Sequence, residues 1–509
     1  MDRSFATATE LPEATRRTFC PPASRKYVLL TAILASSMGF IDGSVVSLAM
    51  PAIRSDLGAT LVEAQWINNS YMLFLGALVL IGGAAGDVFG IRNIFAAGIA
   101  VFVVMSLACA VAPDSQSLIV MRALQGVGAA FMVPSSLAII AKSYPAETRG
   151  KAIGIWAASS SLTTAFGPFI GGMVLSFGDA WMWRLIFAIN GPIGLVALGL
   201  IYLRIPSDRP TGIRRLDIPG ALLATLGLGS LAWGLTAFGQ PAEQRVLTPV
   251  VWLAVGVATA VAFVWWERRA RAPMVKLDLF RSWAFSGANL YTLALFLAFS
   301  AVLFFLPMTL VSAWSASEWQ VSLMLLPLSL AIGLLSGLAG RFADRHGPRM
   351  ILTAGAALVG LSFTLLALTI PLMDMWRVTF PVLAVMGLGM GLLVSPLSTA
   401  VMLAAPDSDA GLASGINNAV ARVAGLLAVA ALGAVAGIVF DRVFADAAPG
   451  IEFGVTLRNG LTPSVGMLRI QATNIAFQVI AAVSAAMCFL AAAIAWFTQP
   501  SWEKPEKAE

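Results

Sequence analysis

Charge is what this 509-residue sequence has least of. Asp, Glu, Lys and Arg make up 11% of it, against about 25% in a soluble globular domain. So thin a polar shell could not cover the 59% of residues that are apolar, which excludes a water-soluble enzyme and a disordered chain. Histidine occurs once, at His346, and that excludes a histidine-built metal centre. The three cysteines, Cys20, Cys109 and Cys488, match no metal-ligand spacing and cannot staple a secreted domain. No Gly-x-x-x-x-Gly-Lys-Ser/Thr loop is present to cradle the phosphates of ATP, and no catalytic triad is visible. Neither a metal, nor a cofactor, nor an enzymatic reaction is therefore expected. Ten-residue segments of alternating polarity, the mark of a transmembrane barrel, are missing as well.

What is there is a series of long apolar runs, with a mean hydropathy of +0.85. A helix needs about 20 apolar residues to cross the hydrocarbon core. On that measure the chain reads as an all-α integral membrane protein with fourteen transmembrane helices, the first near 27–49 and the last two near 412–440 and 472–498. The charged lead with Glu10 and Glu13 makes the first run a membrane helix rather than a secretion signal.

Lys and Arg set the orientation. With the N-terminus placed in the cytoplasm, twenty-three of the 32 basic residues fall in inner segments and seven in outer ones. Both termini are thus expected inside the cell, across the inner membrane. The net charge of +6 reads as a topology signal, with no need of a nucleic-acid partner.

A repeat then organises the helices. The turn after the second helix reads Gly83-x-x-x-Asp87-x-x-Gly90-x-Arg92, and the turn after the tenth reads Gly340-x-x-x-Asp344-Arg345-x-Gly347-x-Arg349. Every shared position is offset by 257 residues. Two matched turns after corresponding helices argue for a duplicated six-helix unit, one of the known plans of transporters. The expected organisation is a cytoplasmic tail (1–26), a six-helix half (27–204), a linker carrying an extra transmembrane hairpin (205–281), a second six-helix half (282–498) and a short cytoplasmic tail (499–509).

Ionisable residues well inside predicted helices number three: Asp42, Arg122 and Arg422. Each costs roughly 2.5–3.5 kcal/mol at mid-helix on insertion scales, so such residues usually have a function. Asp42 has one plausible partner in its half, Arg122. The pair either carries a proton or locks two helices together. Arg422 stands beside Asn417 and Asn418 on a polar face, where it either meets substrate or stabilises one conformation.

Further motifs accompany these residues. The fourth helix carries Arg122-x-x-Gln125-Gly126-x-Gly128, and the fifth carries Gly167-Pro168-x-x-Gly171-Gly172. The first reads Ile41-Asp42-Gly43-Ser44 through Pro51, and the sixth begins Trp183-Arg184-x-x-Phe187-x-x-Asn190-x-Pro192. Together with the paired turns, this set resembles the major facilitator superfamily, in particular its fourteen-helix drug:proton antiporters, the multidrug-resistance exporters. The first turn departs from the family pattern, with Val88 and Ile91 where basic residues are usual.

The resemblance implies proton coupling at Asp42, Arg122 and Gln125, and an antiporter motif at Gly167, Pro168, Gly171 and Gly172. It implies efflux of small amphipathic compounds such as drugs or antibiotics by alternating access, in a monomer whose partners are a small-molecule substrate, protons and the bilayer. A dedicated metabolite or organic-acid transporter of the same fold is the second reading. Gly171 and Gly172 should let the fifth helix approach a helix of the other half. Asn69, Tyr71, Phe131, Trp156, Tyr291, Asn418 and Arg422 are candidates for the substrate cavity, with Trp66 and Phe304 as further aromatic candidates. With one buried acid against two buried bases, neutral or anionic cargo is expected to be preferred over dicationic cargo.

Overall fold

The computed structural model describes residues 18–176, 180–208, 216–240, 248–444, 447, 450–456 and 462–501. Most of both tails, the tip of the predicted hairpin, and parts of the linker and of the 441–471 loop lie outside these residues. Among the described residues every regular element is helical. The first half holds α1 (Pro22–Leu57), α2 (Leu61–Phe89), α3 (Ile91–Ala110), α4 (Ser115–Ser143), α5 (Ala146–Ser176), α6 (Arg184–Ala188) and α7 (Asn190–Arg204). A hairpin of α8 (Ile218–Ala237) and α9 (Pro249–Glu267) follows. The second half holds α10 (Trp283–Trp314), α11 (Glu318–His346), α12 (Pro348–Thr369), α13 (Phe380–Leu403), α14 (Ala410–Phe444) and α15 (Pro463–Thr498).

Thirteen helical stretches among these residues are long and apolar enough to cross a bilayer, one of them, Trp181–Arg204, containing α6 and α7. The fourteenth crossing is α5, whose apolar run is Phe166–Ser176. Pro192 has no N–H to return to residue 188, and the chain turns at Ile189, which divides α6 from α7. The helices also outrun the predicted apolar segments: α1 continues through Pro51 to Leu57, and α15 starts nine residues before 472, at Pro463. Hydropathy marks the part in hydrocarbon, whereas caps mark the helix. Gly58, left-handed at φ 62°, ends α1.

The duplication is visible in how the helices pack. In the first half α4 lies against α2 and α3; in the second α13 lies against α11 and α12. Glycines permit both contacts. A Cβ on Gly126 would sit 2.5 Å from the Tyr71 carbonyl oxygen, and one on Gly128 2.5 Å from the Phe102 nitrogen. Gly387, Gly389 and Gly391 do the same for α13, against Leu328, Val359 and Ala331. The two matched turns share a backbone too. Gly90 (φ 89°) and Gly347 (φ 78°) each link one helix to the next in a conformation that a side chain would strain.

The halves meet along two seams, α5 on α11 and α2 on α14. The hairpin covers the second seam. Trp66 of α2 and Trp233 of α8 pack with tilted rings whose centres are 5.1 Å apart, and Ala232 packs with Leu73, Leu426 and Ala430 from both halves. Its outer helix α9 turns Val250, Val257, Val261 and Trp265 outward, a surface suited to lipid.

At the end remote from the N-terminus the halves are tied together. Arg54, almost fully buried, donates to the carbonyls of Ala59 and Phe453 and to the Glu452 carboxylate at 3.1 Å. Glu452 also accepts from the Leu61 amide at 2.6 Å, so the loop before α15 holds the start of α2. At the N-terminal end α5 and α11 stand apart. Positions for a Cβ on Gly150, Gly154, Gly333 and Gly337 meet nothing within 4 Å. The structure is therefore open on the side of the termini.

Candidate functional site

Arg122 and Gln125 are three residues apart on α4 and so share a face, which is turned toward α1 and α2. Arg122 donates through Nη1 to Asp42 Oδ2 at 2.6 Å and to Gln125 Oε1 at 2.8 Å. Gln125 Nε2 donates to Asp42 Oδ1 at 3.0 Å, so both carboxylate oxygens are satisfied. Arg122 Nε donates to the Ile67 carbonyl of α2 at 3.2 Å, and the guanidinium lies over the Tyr71 ring at 4.2 Å. Asp42 and Gln125 are 0% exposed and Arg122 1%. A buried acid–base pair is tolerated only when its polar atoms find partners; here both Asp42 oxygens and the Nε and Nη1 of Arg122 have them, and the Tyr71 ring faces the guanidinium.

This group stands behind the wall of the central cavity. The cavity, of about 410 Å³, is lined from both halves: Phe40, Gly43 and Ser44 of α1, Asn68 and Met72 of α2, Pro168 of α5, Phe296, Phe299 and Phe304 of α10, Leu325 and Ser329 of α11, Leu397 of α13, and Asn417, Asn418 and Arg422 of α14. It runs from mid-molecule toward the open end, where Val401 and Ser414 border it. Asp42 is not at its surface, yet its chain neighbour Gly43 is. One position along α1, about 100° around the helix, separates the two residues.

The cavity candidates from sequence divide. Asn418 and Arg422 are at the wall, as is Phe304. Asn69, Tyr71, Phe131, Trp156 and Tyr291 are elsewhere, each for a traceable reason. Asn69 is fully buried and accepts from Asn68 at 3.4 Å. Tyr71 lies under Arg122. The backbone of Phe131 faces Gly82 and Gly98 in the tight packing of α4 on α2 and α3. Trp156 donates to Ser36 at 2.8 Å, joining α5 to α1. Tyr291 donates to the Leu352 carbonyl at 3.0 Å inside the second half. Trp66 packs on the hairpin instead. Sequence reasoning missed Asn68, Phe296 and Phe299 at the wall; Asn68 adjoins Ile67, the residue Arg122 holds, but nothing in the sequence gives that adjacency.

The glycines of α5 serve two neighbours. A Cβ on Gly167 would lie 3.0 Å from Ser44 Oγ and one on Gly171 2.2 Å from Val45, both on α1. Gly172 alone faces the other half: its Cβ would come within 2.5 Å of Ser322 and 2.8 Å of the Glu318 carbonyl oxygen on α11. Ser176 Oγ accepts from the Trp319 amide and the Phe169 ring packs tilted against Trp319, completing the closure there. The expectation that Gly171 also meets the other half is corrected, because α1 lies between.

In the matched turns, Asp87 pairs with Lys142 at the end of α4 at 2.8 Å. It does not cap α3. That is done by Asp208, whose carboxylate accepts from the amides of Ile91 and Arg92 at 2.8 and 3.1 Å. Arg92 bonds the Ile201 carbonyl and Arg349 lies over Trp496 at 4.3 Å, so each half uses its arginine to fix its own last helix. A Cβ on Gly83 would lie 3.8 Å from Pro134 and one on Gly340 2.6 Å from Ser395 Oγ, both helix contacts. Asp344 and Arg345 are exposed.

Comparison with known proteins agrees with this architecture. A family model described as the Major Facilitator Superfamily matches residues 32–429 and 288–509. Among curated relatives, the multidrug resistance protein Stp of Mycobacterium tuberculosis is 31% identical over 80% of this chain and 75% of its own length. The methylenomycin A resistance protein of Bacillus subtilis is 33% identical, with 80% and 87% covered. The puromycin resistance protein pur8 of Streptomyces alboniger is 34% identical, with 82% of each covered. Among solved structures, a bacterial homologue of the human lysosomal transporter Spinster, captured inward-facing, aligns with a TM-score of 0.65 at 16% identity over 95% of this chain and 99% of that one. A D-xylose–proton symporter aligns with a TM-score of 0.61 at 15% identity, covering 93% and 98%.

Proposed function

The chain belongs to the major facilitator superfamily, and from that premise we propose that it exports small amphipathic compounds, drugs or antibiotics among them, in exchange for protons. The observation that carries this reading is the sealed Asp42–Arg122–Gln125 group one residue behind the cavity wall. A carboxylate so placed can exchange a proton only when α1 and α4 move, which couples its charge to the conformation of the half that holds it. Proton entry drives the cycle: each charge moved across 100 mV yields roughly 2.3 kcal/mol.

Asp42, Arg122 and Gln125 act as the proton-coupling group, and Gly167, Pro168, Gly171 and Gly172 as the closure of the outer side. The names of the relatives above, three of them resistance proteins, support the exporting direction. The basic residues gathered on the side of the termini support an inner-membrane protein with both ends in the cytoplasm. The cavity is then open inward, and a single chain suffices to enclose it, so the protein works as a monomer. The test is a susceptibility panel in an efflux-deficient bacterial host. Expression should raise tolerance to several amphipathic compounds in a manner abolished by a protonophore; tolerance unaffected by collapsing the gradient would contradict proton exchange.

A further inference from the structure

We propose that Arg422 forms a carboxylate-binding subsite on the cavity wall, so that the preferred cargo carries an anionic head on an apolar body. The inference rests on reading this cavity as the cargo site.

Charge at the wall is one-sided. Among the described residues lining the cavity, Arg422 is the one ionisable side chain, and none is acidic. Asp42 does not offset it, since its charge is paired with Arg122 and its side chain is not at the wall. The two glutamates nearest the far end are engaged away from the cavity. Glu63 accepts from Ser115, Gln116 and the Thr60 amide, and Glu318 opens α11 beside the closure formed with α5. Arg422 itself makes no hydrogen bond or ion pair to any described residue. A guanidinium offers five N–H donors in a planar fork, and a carboxylate fits two of them at once.

The base is also held in place. The Arg422 Cβ lies 3.1 Å from where a Cβ would project from Gly76 of α2, so a tight helix contact fixes its stem where the residue lines the cavity. The neighbouring amides already have partners. Asn417 donates to Thr292 and Asn289, and Asn418 donates to the Ser414 carbonyl. The remaining wall, with Phe296, Phe299, Phe304 and Leu325, suits the apolar body of the cargo. Charge balance agrees: a proton entering and a monoanion leaving move charge in the same sense, so an inside-negative potential drives both.

Three probes sharing one fluorophore test this on the full-length protein in lipid nanodiscs: dansylglycine (a carboxylate), its methyl ester (neutral) and dansylcadaverine (a cation). Tryptophan-to-dansyl energy transfer reads binding. The carboxylate should bind about tenfold tighter than the ester, with the amine weakest. In Arg422→Gln the ratio of carboxylate to ester affinity should fall to about one, and Arg422→Lys should restore part of it. An amine that binds as tightly as the carboxylate, a ratio that survives Arg422→Gln, or no binding of the carboxylate would each overturn the subsite. Proton-driven flux of dansylglycine in proteoliposomes is a separate reading. Selective binding without gradient-driven flux would contradict the exchange reaction and leave the subsite standing.

Discussion

Asp42 holds its position through two donors of different kinds, and they can be separated. Gln125→Leu keeps the Arg122 bond but strips Asp42 Oδ1 of its donor, at a cost of about 1–3 kcal/mol for an unsatisfied buried acceptor. The melting temperature in detergent should fall accordingly, and proton-coupled flux in proteoliposomes should drop with it. An unshifted melting temperature with undiminished flux would remove Gln125 from the group. Arg122→Ala removes the countercharge altogether and should cost about 3–5 kcal/mol of stability, visible as a lower melting temperature in detergent, together with loss of coupled flux. The partnership of Asp42 with Arg122 was legible in the sequence because so few ionisable residues interrupt the apolar runs. The cavity wall was not. Tyr291 and Trp156 have the composition of a drug pocket, but their polar atoms are spent on Leu352 and Ser36. Periodicity tells which side chains share a face; it does not tell which neighbour that face meets.

Among the elements, α5 and α11 carry the closure. Gly172→Val would place a branched side chain where Ser322 and the Glu318 carbonyl already stand, and the far ends of the two helices should be forced apart. Spin labels at Ser176 and Trp319 should report a longer distance than in the unsubstituted protein, and export should fall. An unchanged distance with normal export would remove Gly172 from the closure. The hairpin adds a second expectation. Because α8 packs on α2 and α14 together, it bridges a seam that must slide as the halves rock. Small residues such as Ala232 and Gly229 at that contact fit sliding better than interlocked bulk would. The fourteen helices and the duplicated turns could be read from hydropathy and spacing. Helix ends could not, since the caps at Gly58 and Thr462 lie outside the apolar runs. Nor could the Asp208 cap on α3, which depends on a residue more than a hundred positions away.

At the scale of the whole molecule, two halves share a cavity that is closed on the side of Arg54 and Glu452 and open on the side of the termini. The far tie is partly exposed on its Glu452 side, with relative exposures of 3% and 42%, so it is worth about 1 kcal/mol. Glu452→Gln should therefore raise the population open at the far end about fivefold, as read from cysteine labelling at positions lining α5 near Ser176; no rise would mean the loop before α15 does not hold the closed state. Orientation in the membrane is checked by reporters. One fused after Gln240 should read periplasmic and one after Arg271 cytoplasmic, and the reverse would invert the whole assignment.

The proposed mechanism turns on proton exchange at Asp42, and proteoliposomes loaded with a pH-sensitive dye test it directly. With purified protein and an imposed pH gradient, adding a transported compound should accelerate proton release in the unsubstituted protein. In Asp42→Asn, shown to be folded and inserted by its elution profile and protease pattern, substrate-induced proton movement should vanish while the compound still binds. Undiminished proton movement in that variant would contradict the role given to Asp42.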